Sequence, residues 1–232
     1  MGRPPNTEER RNQIVKAMMN VIAHQGYAGA TIADVALFAN LTQGLVHYHF
    51  ENKLEILLCV VDEIVSSHAF SLDLRLASCR NNPPRELRHF IDAHLGLPGK
   101  RITNEPGYRI KVKETPVEVL RALMSRWVPG GWVAVKCWVA IGAESVREPE
   151  VRRRYGAAIR GLTVKLEDII RRGVRDGDFT CKDPAAAAAA IMGAILGAFS
   201  LDAAVPGVMP RGGAARAVLE MAEGVLGVEG NK

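Results

Sequence analysis

The 232-residue sequence has few of the features that mark small secreted or metal-stabilised proteins. Its four cysteines (Cys59, Cys79, Cys137 and Cys181) lie far apart and form no CxxC pair. That spacing indicates neither a disulfide framework nor a zinc ribbon, and it suits a reducing cytoplasm. The N-terminal MGRPPNTEERR is polar and precedes an amphipathic segment, which is unlike a secretory signal. With 48% hydrophobic and 24% charged residues, the chain has the composition of an ordinary soluble globular protein.

Motifs of the common enzyme classes are also missing. The sequence holds no GxSxG, no HExxH and no GxGxxG after a strand, and Gly96-x-x-Gly99-Lys100 has the wrong spacing for a phosphate-binding loop. His47 and His49 are two residues apart, so they diverge on a helix and make a poor metal pair. We therefore expect a protein that is not an enzyme and that needs no cofactor or metal ion.

A single uncharged stretch, residues 184–201, has the length of a membrane span and contains Gly193 and Gly197 at GxxxG spacing. Its run of six alanines lowers its hydrophobicity, and it is bracketed by Asp183 and Asp202 rather than by basic residues. We expect a helix buried between close-packed neighbours, and no membrane span.

Apolar residues recur at intervals of three and four along most of the chain, and strand patterns are almost absent, which predicts an all-α fold. In the first predicted helix, Thr7 is the expected N-cap and Gly26 the left-handed stop. Between them one face is apolar at positions spaced i, i+3, i+4, i+7 and i+8: Ile14, Ala17, Met18, Val21 and Ile22.

Three further helices are predicted from their capping residues. Thr31-x-x-Asp34 is a capping box that opens residues 32–39, and Asn40 suits the left-handed turn after them. Thr42 caps residues 43–49, and Asn52-x-x-Glu55 opens a long helix to about residue 77. Later helices are predicted from Pro84, over 116–127, 131–147, 150–176 and 184–201, and over 212–226, with a basic loop at 96–115.

The order of these N-terminal helices is that of a helix-turn-helix module. For the helix at 43–49, the residues expected to face inward are Val46 within the helix and Leu41 and Phe50 at its two ends. The polar residues that remain point outward, namely Gln43, Gly44, His47 and Tyr48. A glutamine can pair bidentately with adenine, and a glycine lets a helix approach the duplex closely.

Nearby side chains can position such a module on the DNA backbone. Thr42, Tyr48 and His49 offer hydroxyl or imidazole donors for phosphate oxygens. Lys53, beside the free amides at the start of the long helix, forms a local anion site. Residues 1–54 carry five basic and four acidic side chains, so overall charge adds little support.

The segment TIADVALFANLTQGLVHYHFENKLEIL resembles the DNA-binding domain of the tetracycline-repressor (TetR) family of bacterial regulators. The matching elements span about fifty residues and are Gly26-Tyr27, Thr31, Val35-Ala36, Thr42, the Tyr48-His49-Phe50 run and Asn52-Lys53. The sequence departs from the family pattern in three places. His47 stands where the family usually has tyrosine, Asn40 replaces the usual turn glycine, and Leu37 and Phe38 occupy positions that are often polar.

The resemblance implies a DNA-binding domain at 1–54 and a helical effector-binding and dimerisation domain at 55–232. Together with the caps, it gives the predicted DNA-binding set Thr31, Thr42, Gln43, Gly44, His47, Tyr48, His49 and Lys53. The expected function is a homodimeric, ligand-responsive regulator, most simply a repressor, that binds double-stranded palindromic operator DNA. The alternative is a small-molecule-binding or protein-interaction module that has lost operator binding.

Helices of the second domain are expected to surround an effector cavity. The candidate lining residues are Cys59, Asp62, Ser66, His89, His94, Trp127, Trp132 and Trp138. The last two long helices are the expected dimer seam, since Gly193, Ala194 and Gly197 permit close approach. The effector itself is not predicted by these residues.

Overall fold

A computed structural model describes residues 7–95, 131–210 and 213–228, and every regular element in these ranges is an α-helix. The described residues form two compact units. The first comprises residues 7–66 and 131–158, and the second comprises residues 67–95, 159–210 and 213–228. The predicted all-α class is confirmed.

The helices follow the order that the periodicity predicts. They are α1 (Thr7–Gly29), α2 (Ile32–Ala39), α3 (Gln43–His49), α4 (Lys53–Ala77), α5 (Pro83–Leu95), α6 (Gly131–Glu144), α7 (Pro149–Asp176), α8 (Pro184–Ala204) and α9 (Gly213–Leu226). The predicted loop at 96–115 and the predicted helix at 116–127 lie outside the described residues.

Helix α1 supplies much of the core of the first unit. All five residues of its predicted stripe are buried, and Ile14 and Met18 are fully so. Regular helix geometry is interrupted at Gly26, whose φ of 74° is the left-handed conformation expected there. At the other end, Thr7, the predicted N-cap, is itself helical.

The turns between α1 and α4 are held by the predicted caps. Thr31 Oγ1 accepts a hydrogen bond from the Asp34 amide at 3.1 Å, and the Asp34 carboxylate accepts one from the Thr31 amide at 3.0 Å. Asn40 takes the left-handed conformation, with a φ of 51°. Thr42 caps α3, and the Asn52 side chain accepts from the Glu55 amide at 2.9 Å. The local design of the module is therefore as predicted.

The first unit extends beyond the predicted domain at 1–54. It includes α6, which packs along α1. The buried thiol of Cys137 contacts the Met19 carbonyl oxygen at 3.1 Å, and burial raises the pKa of that thiol to about 12. The sequence pattern of neither helix indicates that α6 packs on α1, because the two helices are more than a hundred residues apart.

In the second unit, α5, α8 and α9 pack around one apolar core with parts of α4 and α7. Its largest members are Leu72, Leu87, Phe90, Ile91, Leu166, Ile169, Ile170, Phe179, Ile191, Ile195, Leu219 and Leu226. On α7, Leu166, Ile169 and Ile170 are buried in this core.

Helix α8, which was predicted to be buried between close-packed neighbours, is buried along one face within the protomer. Ala188, Ile191 and Ile195 face the core, whereas Gly193 and Gly197 are exposed. In the described part of the chain, α8 alone is long and apolar enough to cross a membrane, with a mean hydropathy of 1.8. One third of this apolar segment is buried inside the structure. This partial burial leaves an uncharged surface of small residues along the helix.

A buried ion pair joins α5 to α7 within the second unit. The Arg172 guanidinium donates to both carboxylate oxygens of Glu86, at 2.8 and 2.5 Å, and the Glu86 side chain is only 5% exposed. Glu86 also accepts the Asn81 amide at 3.0 Å, where Asn81 has a φ of 66°. Removal of the Glu86 charge would leave Arg172 paired with the exposed carboxylate of Asp168, at 3.0 Å, and without its buried counter-ion.

Accordingly, we expect Glu86→Gln to lower the free energy of unfolding by about 3 kcal/mol, since it leaves Arg172 without its buried counter-ion. Urea denaturation followed by circular dichroism measures this loss. The matched control is Glu220→Gln, because Glu220 is 69% exposed and pairs with Arg216 at 3.8 Å. An equal decrease in the free energy of unfolding for the two variants would show that the buried pair stabilises the fold no more than an exposed pair does.

Candidate nucleic-acid interface

Helix α3 presents one buried and one open face. Val46 is fully buried and Phe50, at its C-cap, is 2% exposed, so both anchor the helix to the core of the first unit. Leu41, the third predicted inward residue, is half-buried. On the opposite side Gln43, Gly44 and His47 are exposed, and Tyr48 is 79% exposed. The four residues predicted to point outward do so.

The chemistry of this open face suits a base edge. The Gln43 amide carries both donors and an acceptor, as bidentate adenine recognition requires. A Cβ atom added at Gly44 would meet nothing within 4 Å, so the helix surface is bare at that point. The Tyr48 hydroxyl and the exposed Thr42 side chain stand beside them as donors for phosphate oxygens. Thr42 is also engaged locally, since its oxygen accepts the Leu45 amide at 3.3 Å.

His49 is placed differently from the prediction. Only 9% of its surface is exposed, and its ring packs edge-on against Tyr48 at a centroid distance of 5.0 Å. The reason is helical register, because position 49 is one turn beyond the buried Val46 and shares its face. We therefore leave His49 out of the set of residues that can reach DNA.

Lys53 is engaged within the protein. Its ammonium donates to the carbonyl oxygens of Tyr27 and Ala30, each at 3.0 Å, and lies 4.4 Å from the centroid of the Tyr27 ring. An ammonium has three donors, so one remains for a phosphate oxygen. Burial, with smaller effects from Glu144 and Glu148, raises the pKa of Tyr27 to about 12. Lys53 thus closes the end of α1 as well as marking the predicted anion site.

Thr31 is exposed, but its polar atoms serve the capping box. Its hydroxyl donates to the Asp34 carboxylate at 2.6 Å, and this bond holds the pKa of Asp34 below its ordinary value. The apolar pair after it is open to solvent, with Leu37 77% and Phe38 52% exposed. The Phe38 ring lies 6.0 Å from that of His24.

Two of the candidate effector residues in the first unit have charged partners. Asp62 forms an ion pair with Arg154, and the Cys59 sulfur lies 3.8 Å from an Arg11 nitrogen. Trp138 packs against the Tyr155 ring at 4.7 Å. The Ser66 hydroxyl donates to the Glu63 carbonyl at 3.2 Å. Trp127 and the side chain of Trp132 lie outside the described residues.

In the second unit, His94 pairs with a histidine that sequence reasoning missed. The Nε2 atoms of His68 and His94 are 2.9 Å apart, and His94 Nδ1 lies 2.7 Å from the Phe90 carbonyl oxygen. Burial is the main cause that lowers the pKa of His68 to about 4 and that of His94 to about 3, so both rings are neutral at pH 7. His89, the other predicted histidine, is half-buried on α5.

The signal for the His68–His94 pair is absent from the sequence, because 26 residues separate the two. No group of three His, Cys, Asp or Glu side chains within residues 7–95, 131–210 and 213–228 could hold a metal ion. In the first unit, the exposed face of α3 therefore remains the candidate site.

Comparison with known protein families gives two matches that together cover more than half of the chain. Residues 14–60 match the model described as "Bacterial regulatory proteins, tetR family". Residues 116–227 match the model described as "BetI-type transcriptional repressor, C-terminal". The first match contains α2, α3 and the start of α4, which are the elements that build the open helix face.

Curated relatives share the N-terminal region most clearly. The regulator TtgR of Pseudomonas putida is 34% identical over 61 residues, which are 26% of this chain and 29% of that protein. The regulator BetI of Paraburkholderia phymatum is 28% identical over 159 residues, 68% of this chain and 66% of that protein. The chain thus matches less than a third of the first relative's length.

Solved structures share the fold over nearly the whole chain. A transcriptional regulator from Saccharomonospora viridis in complex with choline superposes with a TM-score of 0.68 at 20% identity, over 96% of this chain and 97% of that one. An exposed recognition-type helix, two matching family models and this shared fold agree. The chain belongs to the TetR family of bacterial DNA-binding transcriptional regulators.

Proposed function

We propose that the protein is a homodimeric repressor that binds a palindromic operator in the cytoplasm and is released by a small-molecule effector. The observation that supports DNA binding by α3 is that the helix has one buried and one open face, with Val46 fully buried and Tyr48 79% exposed. In this proposal Gln43 reads a base edge, Gly44 allows close approach, and Thr42, His47 and Tyr48 contact the backbone. The protein has no enzymatic role.

A two-fold operator needs a two-fold protein, and the second unit offers surfaces for one. Gly161 and Val164 on α7 are exposed, as are Gly193 and Gly197 on α8. A Cβ atom added at any of these three glycines would meet nothing within 4 Å in the protomer. Close approach of these two helices would bury their exposed faces in a four-helix seam between protomers.

The effector acts through differential affinity in this proposal. It binds the state that cannot engage DNA more tightly, and a nearly complete switch needs a preference of several kcal/mol. Helix α4 contributes residues to both compact units, so a shift of α4 is the proposed route. The choline complex of a structural neighbour supports a small-molecule effector.

The alternative, a module that has lost operator binding, is separated by selection of duplexes from a randomised pool with the full-length protein. The repressor proposal expects a palindromic sequence to emerge. Enrichment of no sequence, or binding that is indifferent to sequence at every salt concentration, would favour the alternative.

Gln43→Ala should relax the choice of base at one position of each half-site by about 1 to 3 kcal/mol, because the bidentate contact is lost. Fluorescence anisotropy with the selected duplex and single-base variants measures the change. Lys182→Ala, an exposed residue of the second unit, is the control and should bind like wild type. Unaltered base preference in Gln43→Ala would remove Gln43 from the reading face.

For Lys53→Ala we expect two effects together. Affinity for all DNA sequences should fall about equally, because a phosphate contact carries no base information. The free energy of unfolding should also fall by about 1 to 2 kcal/mol, because two carbonyl oxygens lose a charged donor. Anisotropy with specific and non-specific duplexes, and thermal unfolding, test the pair of effects. A variant with lower affinity and unchanged stability would contradict the structural contacts of Lys53.

Gly197→Glu should convert the dimer to a monomer, since it places a charge in the proposed seam while the protomer has room for the side chain. Sedimentation equilibrium gives the mass. Gly224→Glu on α9 is the matched control, because Gly224 is an exposed helical glycine with equally open surroundings. A wild-type monomer, or a dimer that survives Gly197→Glu, would exclude this seam.

A further inference from the structure

Arg11, on α1, contacts both ends of the linker that leaves the recognition helix. One guanidinium nitrogen donates to the carbonyl oxygen of His49, the last residue of α3. The other donates to Glu55 Oε1, in the first turn of α4, at 2.9 Å. The guanidinium also stacks over the ring of Phe50, with its carbon 4.0 Å from the centroid. One side chain thus touches α3, its C-cap and α4.

Glu55 extends this contact into the linker backbone. Its second oxygen, Oε2, accepts the Glu51 amide at 2.8 Å, while Oε1 accepts Arg11. The hydrogen bond from Arg11 is the main cause that holds the pKa of Glu55 below its ordinary value, and the pKa of Arg11 is raised in turn. The carboxylate is therefore ionised and bonded on both sides at pH 7.

The energetic weight of the ion pair itself is small. The Arg11 and Glu55 side chains are 36% and 35% exposed, and pairs with that much exposure contribute little to the stability of a fold. The geometry of the contact is demanding, because one side chain must contact a carbonyl oxygen, a carboxylate and a ring face at the same time. A planar guanidinium with two diverging donors can meet all three, whereas a lysine ammonium cannot.

We infer that Arg11 is a positioning residue that fixes the recognition helix α3 relative to the start of α4, and so transmits the placement of α4 to the DNA-reading face. This inference rests on the proposed function. It adds a residue that lies outside the predicted DNA-binding set and that acts through His49 and Glu55. Loss of the contact leaves α3 folded on Val46 and Phe50, with its angle to the first turn of α4 no longer fixed.

The competing role for an arginine in such a module is direct contact with a phosphate. The two roles differ in salt dependence, because each phosphate contact adds about one to the slope of log affinity against log salt. A positioning residue leaves that slope unchanged and acts only on the selected sequence. The same measurement therefore separates the roles.

The test uses the full-length protein and the duplex that wild type selects from a randomised pool. Arg11→Met should weaken binding to that duplex about tenfold, as expected for loss of charge-assisted hydrogen bonds, without a change in salt slope. Binding to an unrelated duplex should stay at the wild-type level. Arg10→Met is the matched control, because Arg10 is the neighbouring residue in the sequence. Its guanidinium donates to Gln13 of the same helix, at 2.7 Å.

Glu55→Ala supplies an independent variant that removes the partner instead. It should weaken binding to the selected duplex in the same way, and the Arg11→Met/Glu55→Ala double variant should lose no more affinity than either single one. Thermal unfolding of each variant gives the folded fraction, and Glu55→Ala carries the test if Arg11→Met does not fold.

Two results would overturn the inference. Wild-type affinity in Arg11→Met or in Glu55→Ala shows that the contact does not position α3. An equal loss on all duplexes, with a slope reduced by about one, makes Arg11 a phosphate contact. If wild type itself selects no sequence, the proposed function fails first, and that failure is recognised before any variant is made.

Discussion

A seven-residue helix cannot hold its own shape in water, and this constraint governs the N-terminal module. Isolated helices shorter than about 12 residues are marginal, so α3 depends on what packs against it. Val46 and Phe50 anchor it by burial, and Thr42 satisfies an amide at its start. Only because this inner face is so firmly held can the outer face stay polar, exposed and available to a partner.

The same dependence explains the long side chains that converge on the ends of the short helices. Lys53 reaches back to the end of α1, and Arg11 reaches forward to the end of α3. Each satisfies carbonyl oxygens that a helix end leaves without an intrahelical donor. The bond from Arg11 ties the end of α3 to α1. The position of the reading face is thus a property of the frame around it.

What could be predicted from the sequence was local. Capping boxes, the left-handed Asn40 and the apolar stripe of α1 depend on residues within one or two turns, and the structure has them as expected. What could not be predicted depends on pairing across the chain. Arg11 was only one more basic residue in the sequence, because nothing near it signals Glu55. The packing of α6 on α1 and the His68–His94 pair were missed for the same reason.

Amide hydrogen exchange of the full-length protein, with and without the duplex that it selects, tests the central claim most directly. If α3 is the reading element, exchange should slow most over residues 42–49 when the duplex is bound, because a short helix held in a groove opens less often. Strong protection confined to other helices, with 42–49 unchanged, would contradict the account.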